Sequence, residues 1–172
     1  RWPDLVRNVF GVQGAVGTLW IEHREGRAPV VVVKTSDVAH GARASLEEPL
    51  TKRDAATSST DNAELVIIGL PPVPPEGRRV NVGVVNLGVI PATFRISART
   101  RTGAEIGKSF ESGIPEGQVW LTNDLEGRLG IKLDETMTVR LTAIAGTGVG
   151  FATVVTTGGD SEFIAAIPAE QQ

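Results

Sequence analysis

The sequence predicts an all-β protein: an antiparallel two-sheet β-sandwich of the immunoglobulin-like or jelly-roll-like kind, with about nine to eleven short strands. Three observations predict it. The 172 residues include 20 Gly, 10 Pro and one Met, a composition typical of short strands joined by tight turns. Apolar and polar side chains alternate along several segments, as in strands with one buried face. Helical periodicity is confined to one or two short stretches.

The clearest alternation lies in "VNVGVVNLGVIPATFRISART", residues 80–100. A period of two predicts an antiparallel hairpin of strands near 79–87 and 92–101. Its buried positions would be Val82, Val84, Phe94 and Ile96. The same register predicts accessible side chains at Arg95 and Arg99, because a slip of one residue would reverse every side chain.

The segment before residue 63 combines helix, strand and loop patterns. "RWPDLVRNVFG" predicts a short helix, with Pro3 in its first turn and Gly11 ending it in the left-handed conformation. "GTLWIEHREGRAPVVVVKTSD" then predicts a strand, a turn at Glu25–Gly26 and a more buried strand, and "ARASLEEPL" predicts a third. Residues 51–62 are polar and without period, which predicts an exposed, mobile loop.

The segment after residue 63 is a series of strands separated by turns. "ELVIIGL" predicts a strand and "PPVPPEG" a stiff, extended connector. "NDLEGRLG" offers Asn123 or Asp124 as the cap of about one helical turn. "MTVRLTAIAGTGVGFATVVTT" predicts strand, glycine hairpin turn and strand, and "SEFIAAIP" predicts the last strand. Other turns are expected at Gly88, Thr102–Gly103 and 115–117.

Two parts of the chain look like diverged copies of each other. "LVRNVFGVQG" (5–14) matches "LTNDLEGRLG" (121–130) at Leu, Gly and Gly. We therefore expect a single domain built from a truncated first copy (about 4–50), the polar loop (51–62) and a full second copy (about 64–169). The truncated copy would supply strands to the sandwich of the second. Two tandem half-domains are the alternative.

Three motifs together resemble a β-sandwich module of large secreted bacterial proteins: "RRVNVGVVNLGVIPATFRI", "IPEGQVWLTNDL" and "SEFIAAIPA". That module commonly occurs in tandem or appended to other domains. The resemblance implies an extracellular or cell-surface location and a non-catalytic role. One departure is "VGFATVVTTGG", where the usual pattern has an aromatic and a small residue. Since the sequence begins at Arg1, we expect a processed protein or a fragment of a longer one.

Composition argues against several classes of partner and chemistry. The net charge is −3, and the 17 basic and 20 acidic residues are interspersed, so no basic face for nucleic acid is predicted. No apolar run reaches the roughly 20 residues of a membrane helix, which argues against membrane insertion. The absence of Cys excludes disulfides and thiolate chemistry.

No arrangement of residues predicts catalysis, a cofactor or a metal site. Four residues of triad type lie close in sequence, namely Ser36, Asp37, His40 and Ser45. No strand–turn–helix elbow surrounds either serine, however. His23 and His40 lack the short spacing of a zinc pair. A phosphate loop would have to open a helix, whereas "GTGVG" precedes a strand. We therefore expect no enzymatic activity.

Five residues are candidates for contact with a partner: Trp20, Trp120, Arg95, Arg99 and Arg101. In the strand registers that bury Leu19 with Ile21, or Val119 with Leu121, a tryptophan turns to the polar side. Large aromatic residues often supply much of the binding energy of interfaces, so we expect at least one tryptophan to be incompletely buried and to contact a partner. The arginines, with Arg78 and Arg79, would form a basic stripe, although solubility alone also explains them.

These patterns predict a structural or adhesive module that contacts other protein subunits or copies of itself. The contact would be lateral packing or strand addition at an open sheet edge. The alternative is a glycan- or peptide-binding accessory module of a secreted enzyme. Sugar-binding sandwiches usually present several flat aromatic rings, whereas aromatic residues here are 5% of the chain and Tyr is absent.

Overall fold

Most of the described chain is strand, as the alternating sequence predicts. The computed structural model describes residues 5–13, 19–27, 30–31, 33–35, 45–47, 49–58, 63–72, 77–156 and 161–169. The helices are α1 (Leu5–Phe10) and α2 (Leu125–Leu129), and Lys52–Asp54 forms a 3-10 turn. The strands are β1 (Val33–Thr35), β2 (Ser45–Glu47), β3 (Ala56–Thr57), β4 (Glu64–Leu70), β5 (Arg78–Asn86), β6 (Ala92–Thr100), β7 (Glu105–Ile114), β8 (Val119–Thr122), β9 (Met137–Ala145), β10 (Thr147–Thr156), β11 (Ser161–Ala165) and β12 (Ile167–Pro168).

Two five-stranded antiparallel sheets contain all the strands from β3 onward. Sheet I has the order β11-β10-β5-β8, with β3 also paired to β10, and sheet II has the order β12-β4-β9-β6-β7. β1 and β2 form a separate antiparallel ribbon. The sheets bury their inner faces against each other, so the predicted all-β two-sheet sandwich is confirmed.

The core lies between the two sheets. Its largest fully buried side chains include Phe94, Leu65, Ile67, Leu70, Ile96, Leu125, Leu129 and Leu141. The predicted burial of Val82, Val84, Phe94 and Ile96 is confirmed. Complete burial of one such side chain contributes about 1.5–3 kcal/mol to stability.

The predicted hairpin of residues 79–87 and 92–101 is wrong. β5 belongs to sheet I and β6 to sheet II, and the chain crosses between the sheets through residues 87–91. Burial is nevertheless as predicted, because the inner faces of both sheets contact one core. The period of two identified the buried face of β6, but not the sheet that the strand joins.

Asn86 holds this crossing in place. Its Nδ2 donates to the carbonyl oxygens of Ile90 at 2.8 Å, Ile114 at 3.1 Å and Pro115 at 3.1 Å. Its Oδ1 accepts from the N–H of Gly88 at 2.8 Å. The side chain is completely buried, and it joins the β5–β6 crossing to the one between β7 and β8.

The predicted turns at 115–117 and at "GTGVG" are present, but both join the two sheets. The second is therefore a crossing and not a hairpin. Gly146 makes it with a φ of 75°, and a Cβ there would lie 2.7 Å from Ala92 Cα. Only glycine fits that close approach of two crossings. The predicted turn at Thr102–Gly103 does join neighbouring strands, β6 and β7.

The predicted C-terminal end of α1 and the predicted cap of α2 are confirmed, whereas Pro3, predicted at the first helical position of α1, lies outside the described residues. After α1, the N–H of Gly11 donates to the carbonyl oxygen of Arg7 at 3.0 Å, and that of Val12 donates to Val6 at 3.2 Å. These bonds form the usual left-handed glycine termination. At α2 the cap is Asp124, whose Oδ1 accepts from the N–H of Gly127 at 3.1 Å.

The prediction of an exposed, irregular loop at 51–62 is wrong for its first part. Asp54 Oδ2 accepts from the N–H and the hydroxyl of Thr51 at 2.7 and 2.8 Å, which stabilises the 3-10 turn. Ala56 is buried, and β3 pairs with Gly148 and Thr147 of β10. Residues 59–62 lie outside the described ranges. Sheet pairing orders 56–57 although the local sequence carries no strand pattern.

Two further predictions concern domain organisation and membranes. Neither helix of the described ranges is long or apolar enough to cross a bilayer. The division into a truncated and a full copy stays a prediction.

Candidate interaction surface

Trp120 lies in β8 opposite Val84 of β5 and packs against the core. The prediction that Trp120 lies on the polar side of this strand is therefore wrong. Trp120 and Thr122 face inward, whereas Val119 is half-buried on the outer side and Leu121 is 43% exposed there. Trp120 itself is half-buried, so it is incompletely shielded within the chain.

The reason for this phase is an aromatic and cationic cluster, which we call the Trp120 cluster: Trp120, Phe110, Arg128 and Thr122. The Trp120 and Phe110 ring centroids are 5.9 Å apart at 54°. The guanidinium carbon of Arg128 lies 5.4 Å from the Phe110 centroid and 5.8 Å from that of Trp120. Arg128 Nε also donates to Thr122 Oγ1 at 3.2 Å. Such cation–π contacts contribute about 0.5–2 kcal/mol.

The capped helix α2 positions the cluster. Asp124 begins the helix and Gly130, with a φ of 69°, ends it, so Arg128 lies in its last turn. Leu125 and Leu129 anchor the opposite side in the core. The sequence reasoning missed Phe110 and Arg128. The available signal was the even spacing of Ile106, Phe110 and Ile114, which places the three on one strand face.

The arginine candidates do not form one stripe. Arg95 donates through Nη2 to Glu111 Oε1 of β7 at 2.8 Å, and it is exposed as predicted. Arg99 is half-buried and its Nη1 donates to the carbonyl oxygen of Gly103 at 3.4 Å, while Arg101 is exposed in the β6–β7 turn. Arg78 and Arg79 lie in β5, in the other sheet. On sheet II, Arg95 is paired with Glu111 and Arg140 with Glu64.

Trp20 is 52% exposed, and the residues beside it depart from the prediction. Leu19 and Ile21 were expected in the core, yet both are exposed. Residues 19–24 form no strand in the described structure. The sequence has strand character there, but a strand needs a neighbour for its backbone hydrogen bonds, and no described strand pairs with it.

Exposed apolar residues are also found in and directly after α1. Val6, Val9 and Phe10 occupy one face of the helix by their spacing, and all three are exposed. We call the following seven residues the N-terminal apolar segment: Val6, Val9, Phe10, Val12, Leu19, Trp20 and Ile21. Their exposed fractions lie between 43% and 57%. Of the five sequence candidates, Trp20 belongs to this surface, whereas Trp120 lies in the cluster beside β8 and the arginines lie on sheet II and its β6–β7 turn.

The residues considered for catalytic or metal chemistry are only partly described. His23 is exposed, and no group of three His, Cys, Asp or Glu residues among those described could hold a metal. Ser36, Asp37 and His40 lie outside the described residues. Glu64 of β4 is engaged by Arg140 and by the Thr142 hydroxyl of β9.

No family model matches the chain, and no curated protein matches it. Among solved structures, the crystal structure of Thermotoga maritima 1070 matches with a TM-score of 0.48 and 12% identity, covering 66% of this chain and 97% of that one. The Anabaena sensory rhodopsin transducer matches with a TM-score of 0.40 and 16% identity, covering 52% of this chain and 92% of that one. Similarity at this level has no bearing on function.

Proposed function

We propose that this chain is a non-catalytic assembly module of a secreted or cell-surface protein, acting through protein–protein contacts of its N-terminal apolar segment. The observation that carries the proposal is the exposure of that segment, seven apolar side chains of which two are Phe10 and Trp20. Exposed apolar surface on this scale is more typical of interaction sites than of the solvated surface of a soluble protein. The secreted location rests on the resemblance of the three motifs to modules of secreted bacterial proteins.

The distribution of charge supports a contact through the segment and not through sheet II. Arg95 pairs with Glu111 across two strands, and Arg140 pairs with Glu64. Polar groups already satisfied within the chain gain little from a partner. The exposed apolar side chains, in contrast, gain free energy only when something covers them.

The test compares the wild type with a Phe10→Ser/Trp20→Ser double variant and a Val89→Ser control. Val89 is exposed but lies in the 87–91 crossing, outside the segment. We expect concentration-dependent association in sedimentation velocity for the wild type and the control, and its loss in the double variant. A wild type that stays monomeric but binds a glycan array through Trp20 would contradict the proposal and favour a carbohydrate-binding module.

A further inference from the structure

The edges of the two sheets differ in how they are protected. At the edge of sheet II, Gly107 of β7 packs so closely on α2 and the residues after it that a Cβ would lie 2.4 Å from the carbonyl oxygen of Leu129. The other edge of sheet II, β12, is two residues long and contains Pro168, which cannot donate to a ladder. At one edge of sheet I, β11 lies beside β2. β8 ends the other edge of sheet I, and no further strand pairs with it in the described structure.

The register of β8 directs backbone groups to this edge. The N–H of Asn86 donates to the carbonyl oxygen of Gln118 at 2.9 Å, and Trp120 lies opposite Val84 in the same ladder. Hydrogen-bonded and non-bonded pairs alternate in antiparallel sheets. Val119 and Leu121 therefore direct their N–H and C=O groups away from β5, toward the open edge.

Residues 19–24, "LWIEHR", have the side-chain pattern of a strand that could pair with the open edge of β8. In an added strand, Leu19 and Ile21 would lie on one face and Trp20 on the other. β8 has the same arrangement, with Val119 and Leu121 outside and Trp120 inside. Antiparallel addition with Trp20 opposite Trp120 matches both faces, and it makes the tryptophan pair a close, non-hydrogen-bonded pair.

The antiparallel register places opposite charges at one end of the added strand. With Trp20 opposite Trp120, Arg24 is opposite Glu116, an exposed carboxylate in the turn before β8. The side chain of Arg24 is itself 84% exposed, and among the ion pairs of the described residues it contacts only Glu22, whose side chain is 76% exposed, at 3.3 Å. Arg24, the last residue of the added strand, would thus lie opposite a residue of opposite charge.

The numbers of donor segments and open edges suit a second copy as the occupant. Each copy carries one donor segment and one open β8 edge, so donors and acceptors are equal in number. Residues 19–24 do not pair with β8 of their own chain.

We propose that residues 19–24 of one copy add as an antiparallel edge strand to β8 of a second copy, with Trp20 opposite Trp120. The inference rests on the proposed function, since it names the partner and the acceptor for the same segment. Backbone bonds to Val119 and Leu121 give the affinity, and the matched side chains set the register.

Disulfide trapping tests the geometry, because the chain has no cysteine of its own. Leu19→Cys in one preparation is mixed with Leu121→Cys in another and oxidised. These positions are opposite in the proposed register, within the about 4.4–6.8 Å of Cα separation that disulfides need. The control mixes Leu19→Cys with Ile144→Cys, an exposed position on β9 of sheet II. We expect a mixed disulfide at least about tenfold more abundant with Leu121→Cys than with the control. Equal yields overturn the proposal.

Sedimentation of Leu121→Lys gives an independent result. A lysine at an open edge blocks strand addition and leaves the pairing with β5 intact, so we expect at least about tenfold weaker association. Ile144→Lys, the matched control, should associate as the wild type does. If Phe10→Ser/Trp20→Ser abolishes association while Leu121→Lys has no effect and trapping fails, the segment binds elsewhere. In that case the proposed function stands and strand addition is wrong. A wild type that is monomeric at every concentration also overturns strand addition.

Discussion

The two parts of this chain use similar residues with opposite results. In the N-terminal part, Phe10 of α1 is 57% exposed, whereas Phe94 of β6 in the sandwich is completely buried. Both lie in elements with a regular apolar face. The sandwich offers that face a second sheet, while the described N-terminal elements are a six-residue helix, an unpaired segment and a two-stranded ribbon. Burial therefore depends on a matching surface more than on the local pattern.

This difference separates residues that stabilise the fold from residues available for contact. Removing Phe94 or Leu141 from water contributes to folding. Leaving Phe10 or Trp20 in water contributes nothing to folding, and their free energy of burial remains available for association. The following predictions compare a residue of the sandwich with a chemically matched residue of the N-terminal part.

The largest effect is expected from Phe94→Ala. Phe94 lies inside the core, so its truncation leaves a cavity and should lower the free energy of unfolding by about 3–5 kcal/mol. Phe10→Ala removes the same atoms from an exposed site and should change it by less than about 0.5 kcal/mol. Urea unfolding followed by circular dichroism measures both. Similar losses in the two variants would mean that α1 packs on the sandwich and would contradict the comparison.

A smaller effect is expected at two side chains that hold turns. Asn86→Ala leaves the buried carbonyl group of Ile114 and the partly buried one of Ile90 without this donor, which should cost about 2–3 kcal/mol. Asp54→Ala removes the acceptor for Thr51 in the 3-10 turn, where water can replace it, and should cost about 0.5–1 kcal/mol. Thermal unfolding of the two variants beside the wild type measures the difference. A greater loss for Asp54→Ala would show that the 51–58 turn belongs to the cooperative core.

The sequence predicted the buried positions of β5 and β6 correctly, but it did not predict which strands lie beside them. Phe94 and Val82 are buried as the period of two requires, because alternation is a local property. The assignment of β5 and β6 to different sheets depends on the 87–91 crossing and on Asn86, which bonds to Ile114, 28 residues away. Long-range bonds of this kind leave no period in the sequence.

The candidate surface shows the same difference between local patterns, which the sequence reveals, and strand neighbours, which it does not. Exposure of Trp20 was expected, but for the wrong reason, since residues 19–24 form no strand on this chain. Trp120 faces inward because its ring contacts Phe110 and Arg128 there, and neither residue is adjacent to Trp120 in sequence. β-propensity identified the Trp120 segment correctly as a strand, whereas residues 19–24 form none in the described structure, because phase and pairing depend on surfaces that lie elsewhere in the chain.

The smallest expected effect comes from two ion pairs, one in each part. Arg95 and Glu111 lie on adjacent strands with side chains about half exposed, at 50% and 49%, so their separation is fixed by the sheet. A double-mutant cycle with Arg95→Ala and Glu111→Ala should give a coupling of about 0.3–1 kcal/mol that decreases in 1 M salt.

Arg24 and Glu22 are 84% and 76% exposed in a segment without strand partners, so the same cycle should give no measurable coupling in the monomer. In the associated state, Arg24→Ala should instead weaken association if Glu116 lies opposite it. We attribute the energy of a surface ion pair to the fixed geometry of a sheet and not to proximity in sequence. A coupling between Arg24 and Glu22 as large as that between Arg95 and Glu111 would contradict this explanation.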